Sequence, residues 1–539
     1  MENDRNKSAV HGYKSPARKL IPFFINSRSK WKAKCRAAKY KIKLLRNRLS
    51  RMKKCIANLK RKIKDLEEEL QAVKNNEQKL ADEVEQLKNK PLSPAKHIAG
   101  DRFQFMPRGH AYSLGHVHLM LSMILSASIS IRGTSRALKI IFDYLQIQQP
   151  IPSWYSVRLW LLRLGYYKLT REKTHATDWI WIIDHTIQCG KEKCLAIFGI
   201  RQSDLPEVET TLFYEDVEPL ALYPVTKSNG DIVYQQLEKT VKITGVPRQI
   251  IADGGPDIQA GLSLFCAQHP HTCNTYDIKH KFAVVLKRQL NIGTAWNDFA
   301  KKASSVGKQL YQTDMSSLAP PSQRSKSRYM NVDRLVKWAY ETLAFMDEQM
   351  VSPSPQYDQH SLNAKLDWIK GYRIQIAQWR DLIQIGESAV DFIRWHGFYE
   401  NCHVDLIQEP SFVAHSPLAK AAREELLTFI KTESEKARPQ ERLLGSSEVI
   451  ESLFGKLKYI EKDQSKSGFT ALLLSLAASV SETTQDVVQK ALESVPTKKV
   501  FQWFKDNVGQ SVQSKRKEVK KIARQAEQKW DCNGCGVFD

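Results

Sequence analysis

The chain has 539 residues, 42% of them hydrophobic, and a formal net charge of +24. That length exceeds what one hydrophobic core serves, so three or more units are expected, and the apolar share excludes a chain disordered throughout. No run reaches the ~20 apolar residues that cross a bilayer, the first twenty residues lack a secretory signal's apolar segment, and nine scattered cysteines fit a reducing compartment, so an intracellular protein without a membrane partner is expected.

Residues 1–64 hold 22 Lys and Arg against Glu2 and Asp4, so +20 of the net +24 lies there. Such a block binds polyanions, and nucleic acid is the commonest inside a cell. Residues 1–27 read as a basic tail and 28–90 as one long helix. Its candidate phosphate contacts are Arg28, Lys30, Lys32, Lys34, Arg36, Arg46, Arg48 and Arg51. From Ile42 apolar residues recur three and four apart through Leu49, Ile56, Ile63 and Leu70 to Leu80, Val84 and Leu87, broken only at Glu77. That heptad pattern predicts a coiled coil over 42–87 pairing two copies of the chain, with an intramolecular helical hairpin as the alternative. Its basic first half is similar in composition to a basic-region zipper.

Residues 91–110 form a Pro/Gly-containing linker. Three helices are then expected, from about Gly115 to Ala127, Ser135 to Leu145, and after Pro152–Ser153 to Leu164. With a Gly-containing turn between the first two, residues 111–172 read as a helix-turn-helix-like DNA-binding domain, Arg158 and Arg163 being its candidate DNA contacts.

From Asp178 the pattern changes to short β-type runs, "WIWIIDHTI", "CLAIFGIRQ" and "PLALYPVT", then a helix near Ser228, the strand "RQIIADGG", another helix and "CNTYDIKH". Three strands, helix, strand, helix, strand is the α/β order of an RNase H-like core, a mixed sheet with flanking helices. Residues 178–288 are its first part. Residues 289–440 read as an all-helical insertion containing Trp296, Trp338, Trp368, Trp379 and Trp395, most of them core and any exposed one a stacking surface for a displaced base. Residues 441–495 return to the core with the helix "EVIESLFGKLKYI", N-capped by Ser446 or Ser447, and 496–539 form a basic tail. The lone "CNGC" at Cys532–Cys535 is half a zinc site and reads as a frayed terminus.

Asp184 ends the first apolar strand and Asp253 the fourth, while Glu448 and Glu451 share one face of the late helix. Ligand-binding groups collect at the carboxyl ends of strands in an α/β sheet, so the two aspartates can be neighbours. Converging carboxylates need a cation, and all-oxygen ligands point to Mg²⁺ or Mn²⁺. Two such ions serve displacement at a phosphodiester, as in nucleases, integrases and transposases.

Three motifs over about Asp178 to Val495 resemble the DDE transposases with an RNase H-like catalytic core: "IIDHT" at Asp184, "IIADGG" at Asp253, and "YDIKH", which is similar to the Asp/Cys-x-x-His signature of several cut-and-paste superfamilies. The resemblance implies metal ligands at Asp184, Asp253 and a glutamate. The pattern of Glu451, Phe454 and Gly455 resembles that around the family's glutamate and favours Glu451, with Glu448 as the alternative. It makes His280 an active-site accessory, a buried structural histidine being the other reading. Lys456 and Lys458, one turn on, could contact DNA phosphate. The implied activity is hydrolysis at transposon ends followed by 3′-hydroxyl strand transfer into target DNA, with double-stranded DNA as partner. A nuclease or resolvase that does not join, and a domesticated transposase acting as a DNA-binding regulator, are the alternatives.

Overall fold

The computed structural model describes residues 28, 31, 60, 64 and 105–534, apart from 188–192, 207–209, 323–331, 352–356, 463–468 and 511. The chain divides into two units, Met1–Ile98 and Ala99–Asp539. In the first, Arg28, Trp31, Lys60 and Lys64 are helical and exposed. The expected coiled coil over 42–87 otherwise lies outside the described residues, as do Lys30, Lys32, Lys34, Arg36, Arg46, Arg48 and Arg51. Among the described residues no helix is long and apolar enough to cross a membrane.

The second unit opens with α1 (Leu114–Leu125), α2 (Ile131–Tyr144) and α3 (Trp154–Thr170). Each starts at a serine, Ser113, Ser130 and Ser153, whose hydroxyl accepts a first-turn N–H, satisfying a backbone donor that the helix leaves free.

Five strands follow, β1 (Trp179–Ile187), β2 (Lys193–Arg201), β3 (Glu218–Val225), β4 (Gln249–Ala252) and β5 (Cys273–Tyr276), with α4 (Gly230–Thr244) and α5 (Pro256–Gln268) between the later ones. They form one mixed sheet in the order β3-β2-β1-β4-β5. The first three pair antiparallel, and β4 and β5 run parallel to β1.

An all-helical insert runs through α6 (Ile278–Leu290), α7 (Ala295–Leu310), α8 (Val332–Val351), α9 (Gln359–Leu366), α10 (Arg373–His396), α11 (Cys402–Gln408) and α12 (Pro417–Ser434). Its core already includes Ile278, Val285 and Leu286 of α6, so the insert starts before residue 289. Trp296 and Trp379 are buried in it, edge to face with ring centroids 5.0 Å apart. Trp338 and Trp368 pack against the same cluster, whereas Trp395 is 49% exposed. The returning chain is held by side chains. Arg248 pairs with Glu441 in a buried contact (Nε 2.7 Å from Oε1), and Gln249 both accepts from the Leu444 N–H (2.9 Å) and donates to its carbonyl (2.7 Å). Gly445 admits no side chain here, because a Cβ would lie 2.3 Å from Ile393 Cγ2.

Last come α13 (Glu448–Ile460), α14 (Leu474–Ala478), α15 (Gln485–Ser494), α16 (Thr497–Asn507) and α17 (Val512–Gly534). The first five residues of β1 can all be apolar because helices cover both faces of the strand. Trp179, Trp181 and Ile183 join α4 and α5 on one side. Ile180 and Ile182 join α1–α3 and α13–α16 on the other. The two-residue period of a strand therefore puts Asp184 on the α13 face and His185 on the α5 face.

That second cluster revises two expected boundaries. The three N-terminal helices are not a domain apart. α3 buries Val157, Trp160, Leu161, Leu164 and Leu169, and the C-terminal helices supply much of their cover. The buried Lys168 ammonium donates to the carbonyls of Val480 (2.7 Å) and Ser481 (2.9 Å) and to Thr483 Oγ1 (2.7 Å), just beyond α14. Nor does a tail begin at 496, since Val500, Trp503 and Phe504 of α16 pack into the same cluster. α17 is different, every residue from Ser514 to Ala526 being exposed.

Candidate active site

Asp184 is the sixth residue of β1, opposite Ala196 of β2, and the strand continues to Ile187 rather than ending at the carboxylate. Ile183 pairs with Ala252, the last residue of β4, so Asp253 emerges beside Asp184. Asp253 is shaped by its own turn, Oδ1 accepting from Gly255 N–H (3.0 Å) and its carbonyl from Gln259 Nε2 (2.7 Å). Glu451 lies in the first turn of α13, on the sheet face that Asp184 points to.

Asp184 feels the charge of the other two carboxylates. Burial, then the negative charges of Asp253 and Glu451, push the Asp184 carboxyl up to about 7, against the His185 N–H and the His280 charge. Burial disfavours charge on His280, but Asp277, Glu451 and Asp253 outweigh it and hold the imidazole up at about 9. His280 Nε2 lies 3.4 Å from Glu451 Oε1, so His280 sits among the acids rather than in a hydrophobic core.

Lys279, which carries no signal of its own in the sequence, bridges the two glutamates, its Nζ 2.8 Å from Glu448 Oε1 and 3.2 Å from Glu451 Oε2. Glu448 is also met by Arg394 of α10, whose Nη2 donates to Oε1 at 2.9 Å and whose Nε lies 2.8 Å from Oε2. Two cations thus occupy Glu448, while Glu451 is the glutamate whose charge reaches Asp184. Lys279 stands inside "YDIKH" and Arg394 inside "FIRWHG", but nothing in a linear sequence says that these segments meet.

On the opposite sheet face a brace stands behind Asp253. His185 Nδ1 lies 3.7 Å and Lys193 Nζ 3.1 Å from Asp257 Oδ2. Burial would raise the Asp257 carboxyl, but the Ser228 and Lys193 hydrogen bonds hold it down to about 2.

Other candidate positions divide. Arg163 is buried, its guanidinium donating to the Leu492 carbonyl, which removes it from any DNA surface. Arg158 is half-buried and Lys458 exposed. Lys456 lies over the Tyr214 ring at 4.6 Å. Ser447 occupies the N-cap position of α13 but accepts no first-turn N–H; its hydroxyl donates to Asp277 (2.9 Å).

Among the described residues no three His, Cys, Asp or Glu side chains stand in ready metal-coordinating proximity. The donor set nevertheless suits a hard divalent cation, being all oxygen, with the Asp184 carboxyl raised by burial and then by the negative charge beside it. For Glu451 to bind such an ion it must exchange contacts with Lys279 and His280 for it.

No family model and no curated protein matches the chain. Among solved structures it is similar to "Drosophila P element transposase strand transfer complex", at 10% identity over 77% of this chain and 98% of that one, with a TM-score of 0.33. A likeness that loose leaves the chemistry to be judged from the site itself.

Proposed function

We propose that the chain is a divalent-metal-dependent polynucleotidyl transferase of the DDE transposase kind. Its mixed sheet would be an RNase H-like core, Asp184, Asp253 and Glu451 its metal ligands, and double-stranded DNA its substrate. The observation that carries the reading is that the parallel pairing of β1 with β4 brings Asp184 and Asp253 side by side, on the sheet face that α13, the helix of Glu451, covers. Mg²⁺ or Mn²⁺ ions held there would activate water and stabilise the entering and leaving oxygens of a phosphodiester.

The chain's own groups divide the remaining work. Asp184 and Asp253 are fixed by adjacent parallel strands, so their spacing is rigid. Arg394 and Lys279 keep Glu448 neutralised and out of competition for the ion. His280 holds positive charge near Glu451, where a phosphodiester oxygen would approach. The exposed Arg516, Lys517, Lys520, Lys521 and Arg524 of α17 offer phosphates a cationic face. Pairing of two chains through residues 42–87 would bring two DNA ends together.

The test is a Mg²⁺/Mn²⁺ cut-and-join assay on DNA flanking the gene, comparing the unaltered protein with Asp253→Ala and Glu451→Ala. Metal-dependent joining that is lost in both variants supports the reading. Cleavage without joining makes the protein a nuclease, and binding without cleavage makes it a DNA-binding regulator.

A further inference from the structure

Asp277 is 1% exposed, and its two oxygens serve different elements. Oδ1 accepts from the His280 N–H (2.8 Å) and lies 3.2 Å from His280 Nδ1, closing the start of α6. Oδ2 accepts from the Ser447 N–H (2.6 Å) and from Ser447 Oγ (2.9 Å) at the start of α13, 170 positions away. The backbone makes the same crossing, Ile278 N–H donating to the Gly445 carbonyl at 3.1 Å.

A helix N-cap needs one acceptor, which Ser, Thr or Asn supplies equally well. Asp277 supplies acceptors on both oxygens, and an amide in its place would turn an NH₂ toward donors on one side. What it joins matters more than that it caps. His280 is one turn into α6, and Glu451 is one turn beyond Ser447. The insert departs and returns between these two points, so nothing in the local chain sets their separation.

We propose that Asp277 is a positioning residue. Through Ser447 it fixes Glu451 relative to His280, and so presents the third carboxylate to Asp184 and Asp253. This rests on the metal-site reading above.

The test uses the full chain without DNA, measuring Mn²⁺ binding by calorimetry or electron paramagnetic resonance alongside thermal unfolding. Asp277→Asn is expected to weaken Mn²⁺ roughly tenfold or more, as loss of a group that orients a metal ligand does. Ser447→Ala should weaken it less, and Ser447→Thr should restore it. Glu441→Gln, at the buried Arg248 pair away from the carboxylates, is the control. It should lower the unfolding temperature while leaving Mn²⁺ affinity unchanged. Unchanged Mn²⁺ affinity in a folded Asp277→Asn, or equal weakening in Glu441→Gln, overturns the proposal. If Asp277→Asn does not fold, the Ser447→Ala and Ser447→Thr pair decides. If the unaltered chain binds no Mn²⁺, the metal reading itself fails. The positioning is then judged by amide exchange of residues 447–451, which must quicken in the Asp277 or Ser447→Ala variants but not in Glu441→Gln.

Discussion

Arg394 and Glu448, 54 positions apart, meet through both ends of the carboxylate, and this pair ties the last turn of α10 to the first turn of α13. Both side chains are about one-third exposed, so Glu448→Gln should cost only about 1 kcal/mol of stability. It should keep metal-dependent cleavage within roughly tenfold, the scale of a group that supports the ligands. Glu451→Gln should abolish cleavage. Parallel unfolding and cleavage assays check this, and the reverse pattern would transfer the ligand role to Glu448.

The metal-free protein should lose stability as pH rises. With its carboxyl held up at about 7, folded Asp184 keeps a proton that the unfolded chain has released above its ordinary value of about 3.9. Stability therefore falls between roughly pH 4 and 7, by about 4 kcal/mol at most. His280, held up at about 9, adds stability below its ordinary value of about 6.5, and that contribution is lost as pH rises through 9. Unfolding temperatures across pH in a chelating buffer should decline in both windows. Asp184→Asn should remove the acid-side decline, and its persistence there would mean that other groups cause it.

Lys168 presents a sharper stability test. Burial pushes its ammonium down to about 7, yet it is the donor to Val480, Ser481 and Thr483. Lys168→Met fills the space and strands those acceptors, so a loss of about 3 kcal/mol or more is expected in denaturant unfolding. A loss under about 1 kcal/mol would mean that water replaces the ammonium.

If α17 lies along DNA, changing Arg516, Lys517, Lys520, Lys521 and Arg524 to Gln should flatten the dependence of log K on log salt. The slope should change by about 0.9 for each phosphate that the variant no longer neutralises. Binding measured from low to moderate salt reads this directly, and an unchanged slope leaves the helix without a DNA role.

The strands were legible because a run such as "WIWIIDH" has one plausible use, and strand parity then fixes which face Asp184 takes. Asp184 and Asp253 could be read as neighbours because parallel strands carry them. Helix spacing alone did not separate Glu448 from Glu451, since residues three apart share a helix face, and only the family resemblance favoured Glu451; the structure separates their surroundings through Arg394, a residue of the insert. The three N-terminal helices were found, but the expected Gly-containing turn is the first turn of α2, α3 runs on to Thr170 instead of ending at Leu164, and their packing partners were missed. α3 looks like part of a three-helix unit until residues 471–500 are seen covering it, and Arg163 looks like a DNA contact until Leu492 is seen accepting from it.

The shared core of α1–α3 and α13–α16 carries a consequence for how the chain is made. Ile180 and Ile182 emerge from the ribosome some 290 residues before the helices at 471–500 that complete their cover, and contacts so distant in sequence form slowly. During synthesis that side of the central sheet is covered only in part, leaving apolar surface prone to association. A product ending near residue 462 would retain Asp184, Asp253 and Glu451 and still lack that cover. An early stop codon beyond the last acidic residue of the site should therefore yield insoluble protein rather than a smaller working enzyme.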